Sequence, residues 1–87
     1  MAAGYSIAFL RSAREELEAL DPAVVARIVA RVEALGLNPR PRGCHKLRVG
    51  KNLWRIRVGV YRVVYRVDDE NLTVEITAVR HRSEAYR

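Results

Sequence analysis

Between Arg40 and Val67 the chain carries nine Lys or Arg residues, Arg40, Arg42, Lys46, Arg48, Lys51, Arg55, Arg57, Arg62 and Arg66, and no Asp or Glu. This stretch holds more than half of the 16 basic residues, so the net charge of +6 is concentrated. A concentrated basic stretch in a small domain points first to a polyphosphate partner, since each neutralised phosphate releases condensed counterions. A second group, Arg80, His81, Arg82 and Tyr86, closes the sequence. There a histidine can exchange protons near neutral pH and a tyrosine can stack on a base.

The frame that positions these residues must be small. Eighty-seven residues allow one domain, residues 1–87, that buries roughly 60 to 65% of its unfolded surface. At 49% apolar and 30% charged residues the composition is globular. The single cysteine, Cys44, forms no internal disulfide, which fits a cytosolic protein. The apolar run Ile7 to Leu10 is too short for a signal-peptide core or a membrane span, so neither secretion nor membrane insertion is expected.

Tyr5, Ile7 and Phe9 alternate with Ser6 and Ala8 and read as a first strand. Ser12 and Glu15 form a capping box for a helix over about 12–20. Asp21 and Pro22 start a second helix, with Val25, Ile28, Val29, Val32 and Leu35 on one face, which Gly36 ends. A loop over 38–52 then leads into three strands, Leu53 to Val58, Tyr61 to Val67 and Leu72 to Val79. The expected fold is α+β: an N-terminal strand, a two-helix antiparallel hairpin and a three-stranded antiparallel meander.

Gly59 suits the first central position of a type II′ turn, which pairs Val58 with Tyr61, Arg57 with Arg62 and Arg55 with Val64. One face of the hairpin then carries Trp54, Ile56, Val58, Tyr61, Val63, Tyr65 and Val67, and the other carries Leu53, Arg55, Arg57, Arg62, Val64 and Arg66. A turn at Asp68 to Asn71 pairs Val67 with Leu72, which sends Leu72, Val74, Ile76 and Ala78 to the packing face. Strict alternation would bury Arg80 as well, so its use requires the strand to end by Val79. Trp54, Tyr61 and Tyr65 fall on the apolar face and are expected in the core.

Like charges facing across strands are destabilising, so Arg57 opposite Arg62 calls for an anion. The plainer alternative is a solvated face whose arginines lay their stems on the sheet and pair with Glu75. Cys44 and His45 lack ligand spacing, and no metal or other cofactor is expected. Paired acidic catalysts, a glycine-rich phosphate loop and a Ser-His-Asp pattern are missing.

The segments Lys46-Leu47-Arg48, Tyr61-Arg62-Val63-Val64-Tyr65-Arg66-Val67 and His81-Arg82-Ser83-Glu84-Ala85-Tyr86 resemble the RelE branch of the RelE/ParE toxin superfamily. The resemblance spans nearly the whole chain and implies the βααβββ order deduced above. It implies a type II toxin that enters the ribosomal A site and cuts mRNA, the substrate 2′-hydroxyl attacking the adjacent phosphate to inhibit translation. It also implies an acidic cognate antitoxin, and contacts to ribosomal RNA as well as mRNA. Carried over by position, the catalytic set is Arg55, Arg57, Arg62, Arg80 and Tyr86. Arg55 and Arg57 replace lysines, and arginine clamps a phosphate bidentately yet is a poor proton acceptor. His81 therefore becomes the leading proton-transfer candidate. Arg40, Arg42, Lys46, Arg48, Lys51, Arg66 and Arg82 are left to bind rRNA and mRNA. Two alternatives stay open: a ParE-like topoisomerase inhibitor without RNase activity, and a non-catalytic RNA-binding module.

Overall fold

The computed structural model describes residues 4–83. In chain order these form β1 (Ser6–Phe9), α1 (Arg11–Glu18), α2 (Pro22–Leu35), β2 (His45–Lys46), β3 (Leu53–Val58), β4 (Tyr61–Asp68) and β5 (Thr73–His81). One sheet holds all five strands in the order β1-β5-β4-β3-β2. β1 runs parallel to β5, and the other pairs are antiparallel. The helical hairpin supplies the return path that lets β1 and β5 run parallel at one side of the meander. The expected α+β architecture is observed, with β2 added inside the segment read from sequence as a loop.

Both helices cover one face. Ala13 and Leu17 of α1 and Ile28, Val32 and Leu35 of α2 pack with Ile56, Val58, Val63, Tyr65, Val67, Val74, Ile76 and Val79 of the sheet, all buried. Val25, Val29, Trp54 and Tyr61 lie at the margin of this core. Tyr65 is fully buried, and its hydroxyl donates to the Pro39 carbonyl at 2.7 Å, so its one polar atom is satisfied. Burial pushes the Tyr65 phenol well above its ordinary ionisation range.

The helix ends differ from the sequence reading. α1 begins at Arg11 with Leu10 in the cap position, so Ser12 sits inside the first turn and caps nothing. Asp21 does precede α2 and Pro22 opens it, yet the Asp21 side chain makes no capping hydrogen bond. Gly36 ends α2 in a right-handed conformation (φ −65°), so positive φ is not why glycine is needed there. A Cβ at this position would lie 3.0 Å from the Tyr5 carbonyl oxygen, where the first strand passes close enough for the Tyr5 N–H to donate to Gly36 O at 2.7 Å.

Gly59 does take positive φ (+61°), and the β3–β4 register is the expected one, with Val58 opposite Tyr61, Arg57 opposite Arg62 and Arg55 opposite Val64. The β4–β5 register is not. Val67 pairs with Val74 and Asp68 with Thr73, so Leu72 is exposed in the turn at φ +51° and does not join the core. Asp68 dictates this turn: its Oδ1 accepts the N–H groups of Glu70 and Asn71, and its Oδ2 accepts from the Asn71 side chain. These bonds, the Asn71 side chain first, hold the Asp68 carboxyl below its ordinary range.

A second departure lies midway along β5. Val64 pairs with Ala78 and Tyr65 with Ile76, leaving Thr77 as an extra residue whose hydroxyl donates to Val64 O at 3.2 Å. This β-bulge resets the alternation, so Val79 is buried and Arg80 exposed although the strand runs on to His81. The requirement that β5 stop at Val79 is thereby replaced by a bulge, and Ala78 leaves the packing face.

Arg40 ties the loop after α2 to the β4–β5 turn. Its guanidinium makes a two-point contact with Asp69 (3.2 and 2.8 Å) and lies 5.2 Å from the centre of the Trp54 ring, while the Tyr5 hydroxyl donates to the same carboxylate at 2.7 Å. Arg40, and to a lesser degree Tyr5, hold Asp69 below its ordinary carboxylate value of 3.8. A carboxyl depressed in the folded state stabilises the fold above its unfolded pKa, and that contribution is lost as pH falls through the folded value. Melting temperature should therefore drop as pH is lowered below about 4. In Asp69→Asn the drop should be shallower but not abolished, because Asp68 titrates in the same window. For Tyr65→Phe, urea unfolding should read a loss of about 1 to 2 kcal/mol, the effect of stranding the Pro39 carbonyl, with native circular dichroism retained.

Candidate functional site

The face of the sheet opposite the helices is built from rows of residues facing each other across strands. One row is Arg57, Arg62 and Arg80, joined by the pairs Arg57–Arg62 and Arg62–Arg80. The next is His45, Arg55, Val64 and Ala78, and a further row holds Leu53, Arg66 and Glu75. Strand period puts successive rows about 7 Å apart. Five arginines thus share this face with one glutamate, Glu75, whose carboxylate sits 3.4 Å from Arg66. The arginine-bearing face expected from the hairpin register is observed, and the bulge at Thr77 extends it onto β5.

Each arginine of the first row is held differently. Arg62 is half-buried and donates through Nη1 to the Arg82 carbonyl at 3.0 Å, which turns it toward the end of β5. Arg57 is exposed. Arg80 leans over the edge of β5 left open where β1 ends, and its Nε donates to Glu16 Oε2 on α1 at 3.0 Å. The other oxygen of Glu16 accepts the Val79 N–H at 2.9 Å, replacing the strand partner that β1 no longer provides. Nothing in the sequence spacing singled out Glu16, because its partner lies 64 residues away.

His81 does not join the arginines. It pairs with Tyr61, and the two rings meet edge to face at 5.6 Å between centroids, on the helix side of the sheet. A cleft of about 520 Å³ opens there, lined by Glu16, Leu20, Tyr61, Arg80 and His81. The His81 Nδ1 accepts the Ser83 backbone N–H at 3.2 Å, which leaves the proton of the neutral ring on Nε2. The leading proton-transfer candidate of the sequence thus stands apart from the arginine row: β5 continues through His81, and alternation after Arg80 turns it to the helix side. Tyr86 lies outside the described residues.

The residues assigned to docking are also divided. Arg42, Arg48 and Lys51 are exposed along the loops flanking β2, and Arg82 is exposed beyond β5. Lys46 is exposed on β2 but pairs with Trp54, its Nζ 5.9 Å from the ring centre, so it stands on the opposite side from Arg55. Arg40 is engaged by Asp69 and Trp54, and Arg66 by Glu75, so the first is a structural cation and the second is partly neutralised. Sequence reasoning weighed His45 only as a metal ligand and did not place it on the sheet, where β2 sets it directly across from Arg55. A two-residue strand gives no periodicity by which to find it. Among the described residues no cluster of His, Cys, Asp or Glu could hold a metal ion, and no helix is long and apolar enough to cross a membrane.

Residues 7–86 match the family model of the ParE toxin of the type II toxin-antitoxin system, parDE. Toxin RelG of Mycobacterium tuberculosis (strain ATCC 25618 / H37Rv) is 41% identical over 91 residues, an alignment covering 95% of this chain and 97% of that protein. The fold superimposes on a chain of the toxin-antitoxin complex RelBE2 from Mycobacterium tuberculosis with a TM-score of 0.80 and 35% identity, covering 92% of this chain and 100% of that one. It superimposes on a chain of the archaeal RelE-RelB complex from Pyrococcus horikoshii OT3 with a TM-score of 0.82 and 27% identity, covering 98% and 100%.

Proposed function

The chain belongs to the RelE/ParE superfamily of type II toxin-antitoxin toxins, and from that premise we propose that it is a ribosome-dependent mRNA endonuclease. The observation that carries the reading is the row Arg57, Arg62, Arg80 on a sheet face that neither helix covers. Cleavage by 2′-hydroxyl attack takes a phosphodiester through a pentavalent state with an additional negative charge. Guanidinium groups fixed on neighbouring strands meet that charge with little reorganisation, and their forks match the equatorial oxygens. Arg62 and Arg80 clamp the scissile phosphate, Arg57 and Arg55 take the flanking phosphate oxygens, and Tyr86 stacks on the substrate base.

Docking on the ribosome falls to Arg42, Arg48, Lys51 and Arg82, which carry exposed charge outside the row. The toxin acts in the cytoplasm, where its substrate is. Relatives whose structures are described as complexes with RelB support a cognate antitoxin as partner. An acidic segment laid on the arginine face would block it by charge complementarity.

A second reading follows from the ParE description of the family model: inhibition of a topoisomerase with no RNA cleavage. Such a protein has no use for a row of arginines on one uncovered sheet face. In a translation extract, Arg62→Ala and Arg80→Ala should each reduce codon-linked mRNA cleavage by a factor of about 10² or more, with circular dichroism unchanged. Cleavage at the wild-type rate by both variants would remove the row from the chemistry.

A further inference from the structure

We propose that Glu16, on α1, is a positioning residue for cleavage, fixing the Arg80 guanidinium at the end of the arginine row. The inference rests on the endonuclease reading and adds to it a residue that acts through Arg80. β1 covers β5 only as far as the hydrogen bond from the Leu10 N–H to the Ile76 carbonyl, 2.9 Å. Beyond that point no described strand borders Val79 and Arg80 on that side. Glu16 fills the gap with both carboxylate oxygens: one accepts the Val79 N–H at 2.9 Å, the other Arg80 Nε at 3.0 Å. A single side chain thus fixes the backbone of one residue and the side chain of the next.

The two contacts separate a structural role from a positioning one. Closing the edge of β5 takes one acceptor for the Val79 N–H, which a glutamine would also provide. The second oxygen serves Arg80 alone. Because both groups facing Glu16 are donors, a carboxylate satisfies the two together, whereas an amide would set its NH₂ against one of them.

Arg80 is the member of the row that most needs such a partner. It stands on the outermost strand at that level, half-exposed, with the like charge of Arg62 across from it. Among the described residues Glu16 is the only partner of its guanidinium. Contact through Nε leaves the two Nη groups, the pair that can grip two oxygens of one phosphate. Glu16 itself is firmly seated, since its neighbour Leu17 and, one turn back, Ala13 lie in the core. A half-exposed ion pair contributes little to folding, so the effect of this one falls on the ordering of the cation before phosphate arrives.

The test is a double-variant cycle on single-turnover cleavage of mRNA bound to purified programmed ribosomes, with the protein at saturation. Glu16→Gln keeps an acceptor for the Val79 N–H, so native circular dichroism should be retained. It should cleave about tenfold more slowly than wild type while binding ribosomes within about threefold. Added to Arg80→Ala, it should have no further effect, the double variant cleaving within about twofold of Arg80→Ala alone. A wild-type or faster rate in Glu16→Gln would overturn the assignment. Full additivity in the double variant would overturn it too, because the loss would then not pass through Arg80. Wild-type protein that binds ribosomes but leaves their mRNA intact would overturn the endonuclease reading itself, and the assignment with it.

Discussion

The geometry of this protein depends on one inserted residue in a central strand. Ile76 and Val79 must both face the helices, yet they are three positions apart, and a regular strand would send one of them to solvent. Thr77 absorbs the odd residue as a bulge, anchored by its hydroxyl to the Val64 carbonyl. The core is thereby completed beyond the point where β1 ends, and Arg80 comes into line with Arg62 and Arg57. Burial on one face thus fixes what the other face can do.

The arginine row works against folding. Three like charges set across adjacent strands repel one another, and the face offers few carboxylates to offset them. The compensation comes from elsewhere: a continuous apolar layer under the sheet, Glu16 at the edge of β5, and the Arg82 carbonyl on Arg62. Outside the row, Tyr5, Arg40 and Asp69 cross-link three parts of the chain remote in sequence, and the Arg40 cation is used for this internal purpose. A cationic surface preserved at such cost suits a protein whose ligand, or whose antitoxin, supplies the missing negative charge.

Local patterns made much of this legible in the sequence. Gly59 set the β3–β4 turn, and with it the separation of Trp54, Ile56 and Val58 from Arg55 and Arg57. Pro22 marked the start of α2, and its apolar stripe reached the core as its spacing required. What stayed hidden depends on contacts distant in sequence. The bulge at Thr77 is visible only against β4, the Glu16 contact only once α1 lies on β5, and β2 only as an addition to β3. Leu72 and Ser12 misled for a related reason: an Asp68-centred turn and a helix starting one residue earlier outcompeted the propensities read from each residue alone.

The proposed phosphate clamp is drawn from β3, β4 and β5, on a scaffold shared with toxins of the RelE/ParE superfamily. The most direct measurement of that account is primer extension on mRNA from a translation extract given the purified protein. Cleavage inside codons at the position occupied by the ribosomal A site, with DNA supercoiling unaffected, is the predicted result. Intact mRNA accompanied by loss of supercoiling would contradict it.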